Sequence, residues 1–174
     1  ITGRIATYNF SPTPLSESNL LEEQVQGKTF VTGNTVIDAM QHTVRSDYTH
    51  PELEWVGDGK LIFITAHRRE NLGEPMYHIF RAIKRIVDEF ADVKVVYPIH
   101  MNPIVRKAAD EELGDCKQIH IIDPIEVFDC HNFEARCFLC LTDSGGIQEE
   151  APGLGKPVLV MRDSTERPEA LSSG

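Results

Sequence analysis

The sequence predicts an α/β protein: a Rossmann-like parallel sheet with helices on both faces. Two observations carry this. From residue 61 onward, short unbroken apolar runs alternate with longer stretches whose apolar residues recur three and four apart. The runs also lack the in–out alternation of a half-solvated antiparallel sheet, so both of their faces are covered. Strand–helix–strand spacing of this kind builds right-handed βαβ units.

The elements follow in order. Leu61-Ile62-Phe63-Ile64-Thr65 reads as a strand. A helix follows over about 75–90, with Met76, Ile79, Phe80, Ile83, Ile86, Val87 and Phe90 as one apolar stripe and Pro75 in its first turn. Residues 93–97 form the next strand, stopped by Pro98. Asn102 caps a helix that begins at Pro103 and ends before Gly114. Residues 119–122 form a third strand, 127–136 a helix, 137–141 a fourth strand, 145–151 a short helix and 157–161 a fifth strand.

The first part of the chain is different. Residues 9–13 read as a loop, 16–24 as a helix, 28–34 as a strand and turn, and 35–42 as a helix. Residues 41–59 are polar and resemble a connector. The expected organisation is therefore 1–58 as the tail of a preceding domain plus connector, and 59–174 as the Rossmann-like domain. The chain opens without Met, and 171–174 close no recognisable element, so the sequence reads as part of a longer protein.

Composition narrows the function. The net charge of −10 opposes broad binding to nucleic acid or to an anionic membrane, although local donors can still hold a small anion. No apolar run approaches the roughly 20 residues of a membrane span. Cys116, Cys130, Cys137 and Cys140 include one C-x-x-C pair. A second such pair is missing, and the run around Cys137 and Cys140 reads as a buried strand, in which residues three apart face opposite ways. Small buried thiols of a cytoplasmic protein therefore fit better than zinc ligands.

In doubly wound sheets, ligands bind beyond the carboxyl ends of the strands. That rule selects the loops 65–73, 98–102 and 142–146. In Thr142-Asp143-Ser144-Gly145-Gly146, a strand ends, two glycines follow and a helix starts. Free backbone N–H groups at such a helix start attract phosphate, and glycine lets the phosphate approach closely. Simple capping by Asp143 or Ser144 would leave the same pattern. Glu150, about one turn further on, could accept from ribose hydroxyls or simply stand on a solvated helix surface. His67, Arg68 and Arg69 follow the first strand, His100 the second and Arg167 the last, giving a charged ligand edge suited to an anion. His42, His50, His78, His120 and His131 have no such placement and read as structural or surface residues.

These motifs together resemble the non-hydrolysing UDP-N-acetylglucosamine 2-epimerases, in their C-terminal portion. The matching stretches are FVTGNTVIDAM (30–40), TAHRRENLGEPM (65–76), YPIHMNPIVR (97–106) and LTDSGGIQEEAPGLGKPVLVMRDSTERPEAL (141–171). The resemblance implies the second half of a GT-B enzyme, two Rossmann-like domains across a cleft. It implies interconversion of UDP-N-acetylglucosamine and UDP-N-acetylmannosamine, through elimination of UDP to a 2-acetamidoglucal and re-addition. It implies no cofactor and no metal, a cytoplasmic location and a homodimeric full-length protein.

Carried over by residue, Ser144, Gly145 and Gly146 hold the diphosphate and Glu150 the ribose. His67, the catalytic candidate, and Arg167 contact diphosphate or sugar. Arg68 and His100 resemble residues that bind a second UDP-N-acetylglucosamine as activator in some bacterial members. Two positions depart from the family: Asn9 where it usually has His, and Cys130 where an aromatic residue flanks the uracil. The family's acid–base carboxylates for C2 lie in the missing N-terminal domain, so the chain alone is expected to be inactive. A GT-B glycosyltransferase, a hydrolysing epimerase or a non-catalytic nucleotide-sugar-binding module are the competing readings.

Overall fold

A computed structural model describes residues 2–169. The chain divides into two compact units, Ile1–His42 and Thr43–Gly174. The last residues of the 141–171 stretch, and the terminal 171–174, lie outside the described residues.

The first unit holds α1 (Thr2–Ile5), β1 (Tyr8–Ser11), α2 (Pro14–Glu22) and β2 (Lys28–Val31), and α3 (Thr35–Thr43) runs to its boundary. The two strands pair in parallel, Tyr8 opposite Lys28 and Ser11 opposite Val31. Asn9, Phe10 and Ser11, expected in a loop, are thus strand. Phe10 and Phe30 stack across the pair at 5.9 Å, a local contact that the turn-like Ser11-Pro12-Thr13 sequence masks. Thr13 caps α2 by accepting the Ser16 N–H at 3.1 Å. Gly27 is required for packing: a Cβ there would collide with the Ala6 carbonyl oxygen.

The second unit contains α4 (Pro51–Val56), β3 (Lys60–Thr65), a 3-10 turn (Arg69–Asn71), α5 (Glu74–Glu89), β4 (Val93–Pro98) and α6 (Pro103–Leu113). It continues through β5 (Ile119–Ile122), α7 (Val127–Arg136), β6 (Leu139–Thr142), α8 (Ile147–Gly153) and β7 (Val158–Val160). The five strands are all parallel, in the order β5-β4-β3-β6-β7. The order reverses between β3 and β6, so the crevice of a doubly wound sheet opens where Thr65 and Thr142 end their strands.

Alternate residues of β3 serve opposite faces. Ile62 and Ile64 pack with Met76, Phe80, Ile83 and Val87 of α5 and with the buried side of α6. Leu61 and Phe63 pack with Val56 of α4, Phe133 of α7 and Ile147 and Ala151 of α8. Burying a large aliphatic or aromatic side chain contributes about 1.5–3 kcal/mol, so these two layers dominate the stability of this unit.

Two details go beyond the sequence reading here. Residues 43–58, within the polar stretch 41–59 that resembles a connector, fall in the second unit and carry α4, which places Val56 in the core with Leu53 and Trp55 against it. A helix of six residues is too short to display a period. The second change concerns Cys137, which ends α7 rather than starting a strand. The chain bends there, and the Cys137 and Cys140 thiols meet at 3.4 Å instead of facing opposite ways. Among the described residues, no group of His, Cys, Asp and Glu side chains is arranged to hold a metal ion, and no helix is long and apolar enough to cross a membrane.

Candidate nucleotide site

The site is organised by Asp143, the first residue after β6, whose side chain is fully buried. Its Oδ2 accepts the backbone N–H of His67 at 2.9 Å and of Arg68 at 2.8 Å. It also accepts the Asn71 side-chain N–H at 3.0 Å. Three donors on one oxygen compensate the desolvation of a buried carboxylate. Oδ1 has no hydrogen-bond partner and lies 3.6 Å from His67 Nδ1. The loop after β3 is thereby fastened to the loop after β6. Below it, the Thr65 and Thr142 hydroxyls meet at 2.6 Å.

The histidines expected at the ligand edge come together: the His67 and His100 rings stack at 5.8 Å. They line a cleft of about 200 Å³ with Thr65, Cys130, Ser144 and Ile147. Its floor is held by Tyr97, whose hydroxyl donates to the Ala66 carbonyl at 2.7 Å. Burial pushes the Tyr97 phenol well above its usual pKa, so it remains a donor. A larger hollow of about 450 Å³, between Glu70, Pro75, Ile79 and Arg162, contains none of the glycine-turn residues.

The glycine turn differs in detail from expectation. The Ser144 N–H donates to Thr142 Oγ1 at 2.9 Å, so only two of the three expected N–H groups remain for a ligand. Helix α8 starts two residues later than expected, with Gly146 as its cap residue and no side-chain cap. Asp143 is therefore a tie between loops and not a helix cap. A Cβ on Gly145 would collide with the Glu166 carboxylate, and one on Gly146 would stand 3.0 Å from Glu150 Oε1. The space over both glycines is filled by carboxylate oxygens.

Glu166 is held there by Arg68, 3.5 Å away, and by Arg162. Arg68 Nε also donates to the Asp143 carbonyl at 3.2 Å. Arg167 pairs with Glu149 and stands outside the cleft lining. Glu150 is largely covered, with 17% of its side chain exposed. Burial and then Glu149 push its pKa up. Nearby on α7, Glu134 is completely buried and its Oε1 accepts the Cys130 thiol at 3.2 Å. Burial first, and Glu150 after it, push Glu134 up to about 8 against the opposing Cys130 hydrogen bond.

Sequence reasoning gave no role to Asn71, Glu166 or Glu134, and named Asp143 only as a cap in the alternative reading of the glycine turn. For Asp143, the signal was an acidic residue directly after an apolar strand at a predicted switch point. Glu134 carried no signal, because a Glu on an amphipathic helix normally faces water.

Comparison with known proteins identifies the family. Residues 1–174 match the family described as UDP-N-acetylglucosamine 2-epimerase. A UDP-N-acetylglucosamine 2-epimerase of Bacillus subtilis is 58% identical over 175 residues, which cover 100% of this chain and 46% of that protein. The S. aureus MnaA–UDP co-structure superposes with a TM-score of 0.93 at 48% identity, over 98% of this chain and 47% of that one. The UDP-GlcNAc 2-epimerase of Neisseria meningitidis bound to UDP-GlcNAc gives 0.88 at 40% identity, over 98% and 48%. The chain thus spans about half the length of the relatives it matches. On its fold and these matches, the chain belongs to the UDP-N-acetylglucosamine 2-epimerase family, as the C-terminal Rossmann-like portion.

Proposed function

We propose that this chain supplies the UDP-binding half of an active site that interconverts UDP-N-acetylglucosamine and UDP-N-acetylmannosamine. The observation that carries the reading is the Asp143 tie, which fixes the His67–Arg68 loop against the Ser144–Gly146 turn at the switch point. An anionic leaving group there meets the Gly145 and Gly146 N–H groups, the His67 ring and the Arg68 guanidinium together. In an elimination, charge grows on the departing UDP, and preorganised donors stabilise it more than they stabilise the bound sugar nucleotide.

Glu166 has a part in this reading. Its carboxylate stands over Gly145 between two arginines, so the diphosphate displaces it and takes over Arg68 and Arg162. The apolar cleft beside Cys130 and Ile147 receives the uracil, and Glu150 receives the ribose. Residues 1–58 act as the tail of the preceding domain plus connector. The groups that exchange the C2 proton lie in that other domain, and the whole protein works in the cytoplasm as a homodimer. Proton NMR of the anomeric region, with UDP-N-acetylglucosamine and the whole protein, tests the reading. Appearance of UDP-N-acetylmannosamine supports it. Release of free N-acetylmannosamine with UDP would mean a hydrolysing enzyme.

A further inference from the structure

His131 lies on α7 and is 2% exposed. Its Nδ1 is 2.8 Å from the Thr43 hydroxyl. Its Nε2 is buried, has no hydrogen-bond partner and lies 3.9 Å from Oε2 of Glu150. Burial pushes the ring's pKa down, so the imidazole is neutral and carries a single N–H.

The surroundings decide which nitrogen holds it. A hydroxyl both donates and accepts, so Thr43 can serve either tautomer. A carboxylate only accepts, and a bare Nε2 facing Glu150 would set lone pair against lone pair. The stable arrangement has Thr43 donating to Nδ1 and Nε2–H aimed at Glu150. A shift of less than 1 Å by the Glu150 carboxylate would close that gap to hydrogen-bond length.

His131 is not needed as a fastener. The neighbouring Asn132 already ties α7 to Thr43 and Arg45. Its Oδ1 accepts the Arg45 N–H at 3.0 Å and its Nδ2 donates to the Thr43 carbonyl at 2.8 Å.

We propose that His131 is the positioning residue for Glu150: its Nε2–H holds the carboxylate in the orientation that accepts both ribose hydroxyls of a nucleoside diphosphate. The proposal rests on the reading of the cleft as a UDP site. It adds a chain from Thr43 through His131 to Glu150, in which only the last member touches ligand. Ribose recognition strengthens because Glu150 is aimed and hydrogen-bonded before the ligand arrives.

The test is calorimetric titration of the intact protein with UDP and with 2′,3′-dideoxy-UDP. His131→Phe keeps the ring volume and removes the donor, and His131→Gln returns an N–H near the Nε2 position. His131→Phe is expected to weaken UDP about tenfold, as for loss of a hydrogen bond to a charged group, and to leave the dideoxy analogue unchanged. His131→Gln is expected to recover most of the loss. In a Glu150→Ala background, His131→Phe is expected to cost nothing more.

If His131→Phe does not fold, Thr43→Val, which removes the hydroxyl that holds Nδ1, should give a smaller loss confined to UDP. Equal weakening of both ligands, no effect on either, or an undiminished cost without Glu150 would overturn the proposal while leaving UDP binding in place. Failure of the wild-type protein to bind UDP would instead remove the site reading, and this role with it.

Discussion

The Asn71 side-chain amide donates to Asp143 at 3.0 Å and to the Met161 carbonyl at 3.1 Å. One amide thus links the exits of three neighbouring strands: the turn after β3, the first residue after β6 and the residue after β7. With the His67 and Arg68 N–H groups on the same carboxylate, the ligand edge of the sheet is closed around a single buried acid.

Replacing Asp143 should therefore disturb both fold and site. Asp143→Asn keeps the shape but puts an NH2 or a weaker acceptor against three donors. We expect a loss on the order of 3 kcal/mol in denaturant unfolding, with UDP binding reduced even where the protein is folded. A stability within 0.5 kcal/mol of wild type would contradict the keystone role.

Glu134 predicts a pH signature. Its folded pKa is raised to about 8 from 4.5, so between these values the native state holds a proton that the unfolded chain has released. Its stability contribution is complete below about pH 4.5 and is lost as pH rises towards 8. Glu134→Gln removes the titration. Its melting temperature should exceed that of wild type at pH 8 and match it near pH 4. Parallel pH profiles for the two proteins would refute the buried, protonated acid.

Glu166 predicts a gain in affinity. Because its carboxylate covers Gly145 and holds Arg68 and Arg162, Glu166→Gln should free the donors and tighten UDP, roughly threefold to tenfold by titration. The effect should shrink in high salt. Weaker binding would show that Glu166 instead orders the arginines for the ligand.

Much of this arrangement was legible in the sequence. The helix of 74–89 declares itself because a long apolar stripe has only one periodicity to satisfy. The strands after it are bounded by Pro98, Gly114 and the glycine pair, and the parallel order then puts His67, His100 and Ser144 at one edge. What was hidden depends on tertiary contact. The helix of 51–56 shows no period, and its packing exists only once the sheet is present. Glu166 over Gly145 and Thr43 beside His131 are pairs far apart in sequence, and no spacing rule joins them. Asp143 was visible only as one of two candidate caps, since an acid before a helix usually caps it, and its tie to the loop after β3 needs the fold.

The chain alone should not turn over. If the C2 proton-exchange groups lie in the other domain, the 174-residue chain with UDP-N-acetylglucosamine forms no UDP-N-acetylmannosamine over hours, followed by proton NMR. Turnover by this chain would move the acid–base groups into it, with His67 and the Glu134–Glu150 pair the first to examine.

The central claim is that UDP binds against the turn fastened by Asp143, and amide NMR of the chain during a UDP titration tests it most directly. The account predicts that the largest shifts fall on the N–H groups of Gly145 and Gly146, followed by the loop of His67 and Arg68 and the helix start near Glu150. The Ser144 N–H, already donating to Thr142, should move less. Saturable shifts centred on the hollow between Glu70 and Arg162, or on residues 4–28, with Gly145 and Gly146 unmoved, would contradict it.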